Sequence, residues 1–396
     1  MSIRIIGDTN IPFLSYRTIA ISGSVVAILI GVAFQLLGPG LKLGIDFQGG
    51  IQVTLKFRDT PDLAQIRSVL SDLETGEPSL QRYGEAEKNE ILIKGQNPGG
   101  AEGDLARPII ERLQAALNAD LGQALDLNLR GVQELTDELA AGNPEGINGD
   151  VEILRAHYEP MARAVLDYRR TAGSGIFHSL DELDRIEGLS DAARAFLKGR
   201  AAVGAFALVG TDSVGPTVGK DLRRQAMMAI VFALFGMLIY IWIRFQLPYA
   251  IGAVVALIHD VLIALAGLAV TGREVNLPEI AALLTLVGYS VNDTVVIFDR
   301  VRENLKMQRG EQLDKVMDLS INQTLSRTII TSGTVLLTVV ALYLFGGDVI
   351  NTFAFVLLVG VIAGCYSTVF IASPVALWIN ALLGSRKARR RSKRRR

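Results

Sequence analysis

Asp293 is the residue best placed to do chemistry in this sequence, because it is an acid inside an apolar run. It sits in Leu277–Asn304 (LPEIAALLTLVGYSVNDTVVIFDRVREN), which reads as a membrane-spanning helix ending in the basic residues Arg300 and Arg302. Burying a carboxylate there as an anion costs about 3 kcal/mol on insertion scales, so an acid at that position points to proton or ion handling. Ser290 and Ile297 share its helical face, and Asn292 and Thr294 flank it. On the next apolar run, Arg327 opens a stripe, Arg327-Thr331-Thr334-Thr338, at helical spacing. Two antiparallel neighbours would bring Asp293 and Arg327 to a similar depth. Desolvation and a nearby guanidinium act on such a carboxyl in opposite senses, so a modest rearrangement would load or release a proton. A static ion pair that fixes helix packing is the alternative.

A second polar pair, His259-Asp260, lies halfway along Leu247–Val270. It reads either as a relay partner or as a helix–helix hydrogen bond, and the sequence leaves both open. Gly288, Gly333, Gly360 and Gly364 read as close-packing positions, the last two as a G-x-x-x-G pair. The three histidines are scattered, Cys365 is the lone cysteine, and no phosphate-binding glycine loop or hydrolytic triad occurs. The expectation is a chain that is not an enzyme and carries no cofactor or metal.

The elements that must position these groups are spans. Half of the 396 residues are hydrophobic, gathered into runs at Ile19–Leu37, Ala226–Ile243, Leu247–Val270, Leu277–Phe298, Thr328–Phe345 and Ile350–Ile379, each long enough to cross a bilayer. The fold class expected is a polytopic α-helical membrane protein with six transmembrane helices. A polar stretch over 38–222 supplies one α+β, ferredoxin-like periplasmic domain between the first and second. In it, Ile51–Phe57 alternates as a strand, Pro61–Leu73 has helical spacing after an Asp59/Thr60 cap, Ser79–Tyr83 and Glu90–Lys94 form a hairpin, and Asp104–Leu117 is a second helix. The closing strand is either Gln123–Leu129 or Ala205–Val209. An extra helical insertion occupies about 141–199. Its Ser179–Gly199 resembles a helix-hairpin-helix joined at Gly188, read as a packed or protein-contacting surface in preference to a nucleic-acid site because its acids outweigh any basic stripe. Arg300, Arg302, Lys306, Arg309 and Lys315 crowd one connection, against Arg273 alone in the two short opposite ones, which places that connection and both termini in the cytoplasm. The tail over 381–396 is strongly basic and reads as an extension attracted to anionic membrane lipid.

Several stretches then resemble one family in its own order. NIPFLSYRTIAISG at Asn10–Gly23, LGIDFQGG at Leu43–Gly50, VGPTVGKDL at Val214–Leu222, and then ALIHDV, VGYSVNDTVVIFDRVREN, SRTIITSGT and CYSTVFIASP are similar to SecF, the smaller half of the bacterial SecD–SecF accessory translocase, itself related to RND-type transporters. The resemblance covers nearly the whole chain apart from Ala141–Gly199 and the tail. It implies a subunit in the bacterial cytoplasmic (inner) membrane that works with SecD and the SecYEG channel, with YajC or YidC as further candidates. Such a subunit uses the proton motive force to assist a translocating preprotein. Carried over by motif, Asp293 and Arg327 correspond to the membrane acid and arginine implicated in proton conduction; Asp260 is an added relay candidate. The insertion departs from the family's shorter outer domain.

RND-like transporters need two pseudo-repeated halves, and this chain holds one span, one outer domain and five more spans. It reads as half a machine. Two rival classes are an RND-type exporter of small molecules or lipids, and a non-transporting scaffold in which Asp293 and Arg327 are structural.

Overall fold

The chain enters the bilayer-length part of the fold through α1 (Arg17–Leu37), preceded by a single 3₁₀ turn at Phe13–Tyr16. The computed structural model describes residues 9–71, 78–84, 86–95, 106–122, 124–308 and 310–393; Asp104, Gln123, Arg309 and Arg394–Arg396, named above, lie outside them. Two compact units divide at Phe47/Gln48 and at Lys220/Asp221.

In the second unit, β1 (Gly50–Phe57) points Ile51, Val53, Leu55 and Phe57 into the core at the period of two that a one-sided sheet requires. α2 (Leu63–Leu70) begins where the Asp62 carboxylate accepts from the Ala64 and Gln65 amides. Asp62, not Asp59/Thr60, is therefore the cap, because only its side chain reaches the orphan first-turn donors. β2 (Ser79–Tyr83) and β3 (Glu90–Gly95) form the expected antiparallel hairpin. α3 (Ala106–Leu117) packs Ile109 and Leu113 with Ile66 and Leu70 of α2 against Ile91 and Ile93.

The chain then leaves the sheet for a helical lobe made of α4 (Val132–Gly142), α5 (Val151–Arg170), a 3₁₀ segment at Leu180–Arg185 and α6 (Asp191–Arg200). Its separate core gathers Leu127, Leu135, Leu139, Tyr158, Val165, Phe177, Leu183 and Leu197, so the lobe starts well before residue 141. The hairpin resemblance holds in outline: Gly188 turns at φ +87°, but the first arm is 3₁₀, not α-helical. β4 (Phe206–Val214) returns to pair with β1, giving the order β2-β3-β1-β4 with every neighbour antiparallel, a ferredoxin-like sheet. Of the two closing strands the sequence allowed, the later one closes it; Leu125–Asp126 pairs in parallel with Ala201–Ala202 at the neck of the lobe.

That neck is polar. Asp126 accepts from the Asn118 side chain and from the Asn128 and Gly204 amides; Asn128 exchanges bonds with Phe177 and donates to the Gly204 carbonyl. Asn118 also accepts from the Ala205 amide at 2.8 Å. Arg169 donates to the Leu127 and Arg130 carbonyls. Buried polar groups satisfied this fully fix one arrangement of the lobe on the sheet.

The first unit continues with α7 (Pro216–Arg244), α8 (Leu247–Thr271), α9 (Leu277–Met307), α10 (Leu313–Phe345), α11 (Gly347–Ser367), a π turn at Thr368–Ala372 and α12 (Ser373–Lys393). With α1 these provide six segments long and apolar enough to cross a membrane, the last running from Ile350 to Leu383. The basic connection between the Leu277–Phe298 and Thr328–Phe345 runs is mostly helix: α9 runs on to Met307 and α10 starts at Leu313. Outward apolar side chains such as Phe232, Phe235, Leu337 and Phe345 are exposed, as lipid-facing positions must be.

Candidate proton site in the membrane bundle

Asp293 sits in the middle of α9 and is 5% exposed. Its nearest donors come from the neighbouring span. The Ser332 hydroxyl of α10 donates to Oδ2 at 2.7 Å, and the Thr331 hydroxyl lies 3.5 Å from Oδ1. Ser332 also lies beside Tyr289 and the Cys365 thiol. Arg327, two turns or less along the same helix, is exposed and near enough to act on Asp293 through space, but the two form no ion pair. The groups nearest the Asp293 carboxyl are thus hydroxyls, and the Arg327 guanidinium is not bonded to it. Ser290, expected beside Asp293, turns to another acid.

That acid is Asp260 on α8, wholly buried. Oδ1 takes His259 Nδ1 at 2.9 Å; Oδ2 takes the Ser290 hydroxyl of α9 at 2.6 Å and the Ser367 hydroxyl of α11 at 2.9 Å. Asp260 therefore ties three spans together. His259 stacks on Tyr366, and among the described residues its Nε2 has no partner. Gly364 makes this convergence sterically open: a Cβ there would lie 3.1 Å from Ser290 Oγ. One turn earlier, a Cβ on Gly360 would strike Leu286 at 2.5 Å. Those two glycines are close-packing positions. Gly288 and Gly333 are not, since nothing lies within 4 Å of where their Cβ would be.

The π turn helps to aim these groups. Pro374 has no N–H to return to the carbonyl one turn back, so the ladder loosens just before it. Ser367 then reaches Asp260 while Thr368 meets Thr294 of α9 at 3.0 Å. Among the described residues no group of three or more His, Cys, Asp or Glu side chains converges as metal ligands would.

Nothing in the sequence distinguishes Ser332 and Ser367, because a membrane serine usually bonds its own helix; both fall inside the family-like stretches SRTIITSGT and CYSTVFIASP. Asp46, within LGIDFQGG, is likewise not distinguished by sequence. It accepts from the Leu277 amide, the first residue of α9, at 2.9 Å.

Comparison with known proteins gives a consistent result. Residues 198–382 match the family described as protein export membrane protein SecD/SecF, C-terminal, and residues 36–61 match the SecD/SecF GG motif. Protein translocase subunit SecF of Koribacter versatilis is 39% identical over 93% of this chain and 91% of its own length; the same subunit of Calditerrivibrio nitroreducens is 36% identical over 95% and 96%. The crystal structure of SecDF, a translocon-associated membrane protein from Thermus thermophilus, superposes with a TM-score of 0.63 at 25% identity, over 94% of this chain. The chain spans 39% of that SecDF chain. With relatives above 30% identity covered over more than nine-tenths of their length, and with both family matches, the chain belongs to the SecF family of protein translocase subunits.

Proposed function

We propose that this chain is the SecF half of a SecD–SecF assembly that uses the proton motive force to assist preproteins through SecYEG across the bacterial cytoplasmic membrane. The observation that carries the reading is Asp293: a carboxyl buried at mid-span and held by the Ser332 and Thr331 hydroxyls, with Arg327 close by but unpaired with it. Such a group changes charge with a small movement of α9 against α10, and each charge moved across the membrane is worth about 2.3 kcal/mol per 100 mV. Asp260 enters as a second carboxyl, coupled to the position of α9 through Ser290.

A partner half is required by the surface itself. Thr285, Gly288 and Asn292 on α9, with Arg327, Thr334 and Thr338 on α10, are exposed at helical spacing. A stripe carrying an arginine and an asparagine is costly against lipid and needs a second membrane subunit, the place a SecD chain fills. The basic residues Arg300, Arg302, Lys306 and Lys315 support a reading with both termini in the cytoplasm and the α+β unit in the periplasm.

The test is export of a secreted reporter in cells that depend on this chain, comparing wild type with Asp293→Asn at matched membrane levels. Export and its response to a protonophore are expected to fall to the level of a deletion. Unchanged export would remove the proton reading and leave a scaffold.

A further inference from the structure

The helix that carries Asp293 is capped by a residue from far away in the chain. The first backbone N–H groups of a helix have no partner inside it. In α9 the Leu277 amide is taken by Asp46 Oδ2 at 2.9 Å. The tie is reinforced on both sides. Lys42–Leu43 pairs in parallel with Glu274–Val275, the Gly44 amide donates to the Val275 carbonyl at 2.8 Å, and Phe47 is buried with its amide on the Gly44 carbonyl. The approach is close at position 44, where a Cβ would lie 1.7 Å from Asn276 Oδ1 and would displace that side chain.

Asp46 also stands at a particular point in the chain. Four residues later β1 begins, after Gly49 at φ +76°, whose Cβ would meet Pro216 Cα at 2.8 Å. Asp293 is 16 residues from Leu277, about 24 Å of continuous helix. A tilt or slide of α9 at its buried carboxyl is therefore delivered, through a stiff rod, to the residue just ahead of the first strand of the α+β unit.

We propose that Asp46 is a positioning residue that couples the proton-bearing helix to the α+β domain: it grips the N-terminus of α9 so that movement of that helix pulls on the start of β1. This rests on the proton reading of Asp293. The experiment uses inverted membrane vesicles holding the full chain with its SecD partner, with proton conduction and preprotein export measured on the same preparation. Asp46→Ala removes the acceptor and is expected to lower export at least five-fold while conduction stays within two-fold of wild type. Asp46→Asn, whose Oδ1 still accepts from Leu277, is expected to restore export. Asp46→Glu moves the carboxylate by one methylene and serves if the alanine variant fails to accumulate; it should show a partial export loss with conduction intact. Export unchanged in both Asp46→Ala and Asp46→Glu, or conduction lost together with export, overturns the proposal. Asp293→Asn run in parallel separates the two ideas, since conduction surviving in that variant defeats the proton reading and not the grip.

Discussion

At Asp293 the decisive neighbour is a hydroxyl. Ser332→Ala removes the 2.7 Å donor and leaves only the long Thr331 contact. Losing one hydrogen bond to a charged group is worth about 1.5–3 kcal/mol. Export by Ser332→Ala is expected to fall several-fold but to stay above that of Asp293→Asn, and the same reporter assay checks the ranking. Asp260 has a different expected signature. Asp260→Asn keeps an oxygen for Ser290 and Ser367 but cannot take a proton, so the protonophore response should drop while the chain still accumulates in the membrane; an unchanged response would leave Asp260 a packing node. The acid itself was legible because Asp in an apolar run is anomalous without any structure. Its partners were not, since nothing in a sequence says which of many membrane hydroxyls lies opposite an acid 39 residues away. Arg327 was the obvious partner by charge, yet the helix turns it outward.

Among the elements, α9 and α11 meet through Gly360 and Gly364. Gly360→Val pushes a branched side chain into Leu286, and overpacking of this kind costs about 1–3 kcal/mol. Gly288→Ala, whose Cβ would meet open space within this chain, should leave the thermal unfolding midpoint of the isolated subunit in detergent unmoved, while Gly360→Val lowers it. The sequence set Gly360 and Gly364 apart only by their G-x-x-x-G spacing and gave no sign that Gly288 and Gly333 face open space. The spans were legible from length and hydropathy alone, but their ends were not: α9 and α10 continue as polar helices beyond any apolar run. The last run read as one span, and Pro374 was the local sign that its ladder would loosen into a π turn.

The whole molecule joins a ferredoxin-like sheet, a helical lobe and a bundle of spans, and the lobe has its own response to acid. Ser190 first, then His157, hold the Glu145 carboxyl below its usual range. A lowered folded-state value stabilises the fold above the unfolded value, near pH 4.5, and that contribution is lost as pH falls through the lowered one. Asp126 runs the other way. Burial raises its carboxyl against the opposing Asn128 and Gly204 amides, so its ionisation weakens the fold as pH rises through the raised value, and acid relieves that cost. Hydrogen exchange on the full chain, taken from neutral to about pH 4 and below and corrected for intrinsic rates, should show protection lost around 143–147 and the start of α6 before the neck at 126–128. The succession of strands and helices was legible from alternation and turn signals, but the closing strand was not, and neither was the extent of the lobe, because its first helix, α4, is amphipathic like α2 and α3.

The clasp between Asn118 and Ala205 brings the two ends of the lobe within one hydrogen bond of each other. The described residues between 119 and 204 depart from and return to a single point on the sheet, so insertion or loss of that stretch leaves the order of the four strands unaltered. A change in the length or surface of the lobe is thus a change at one point of the sheet, and it leaves the register of all four strands as it stands.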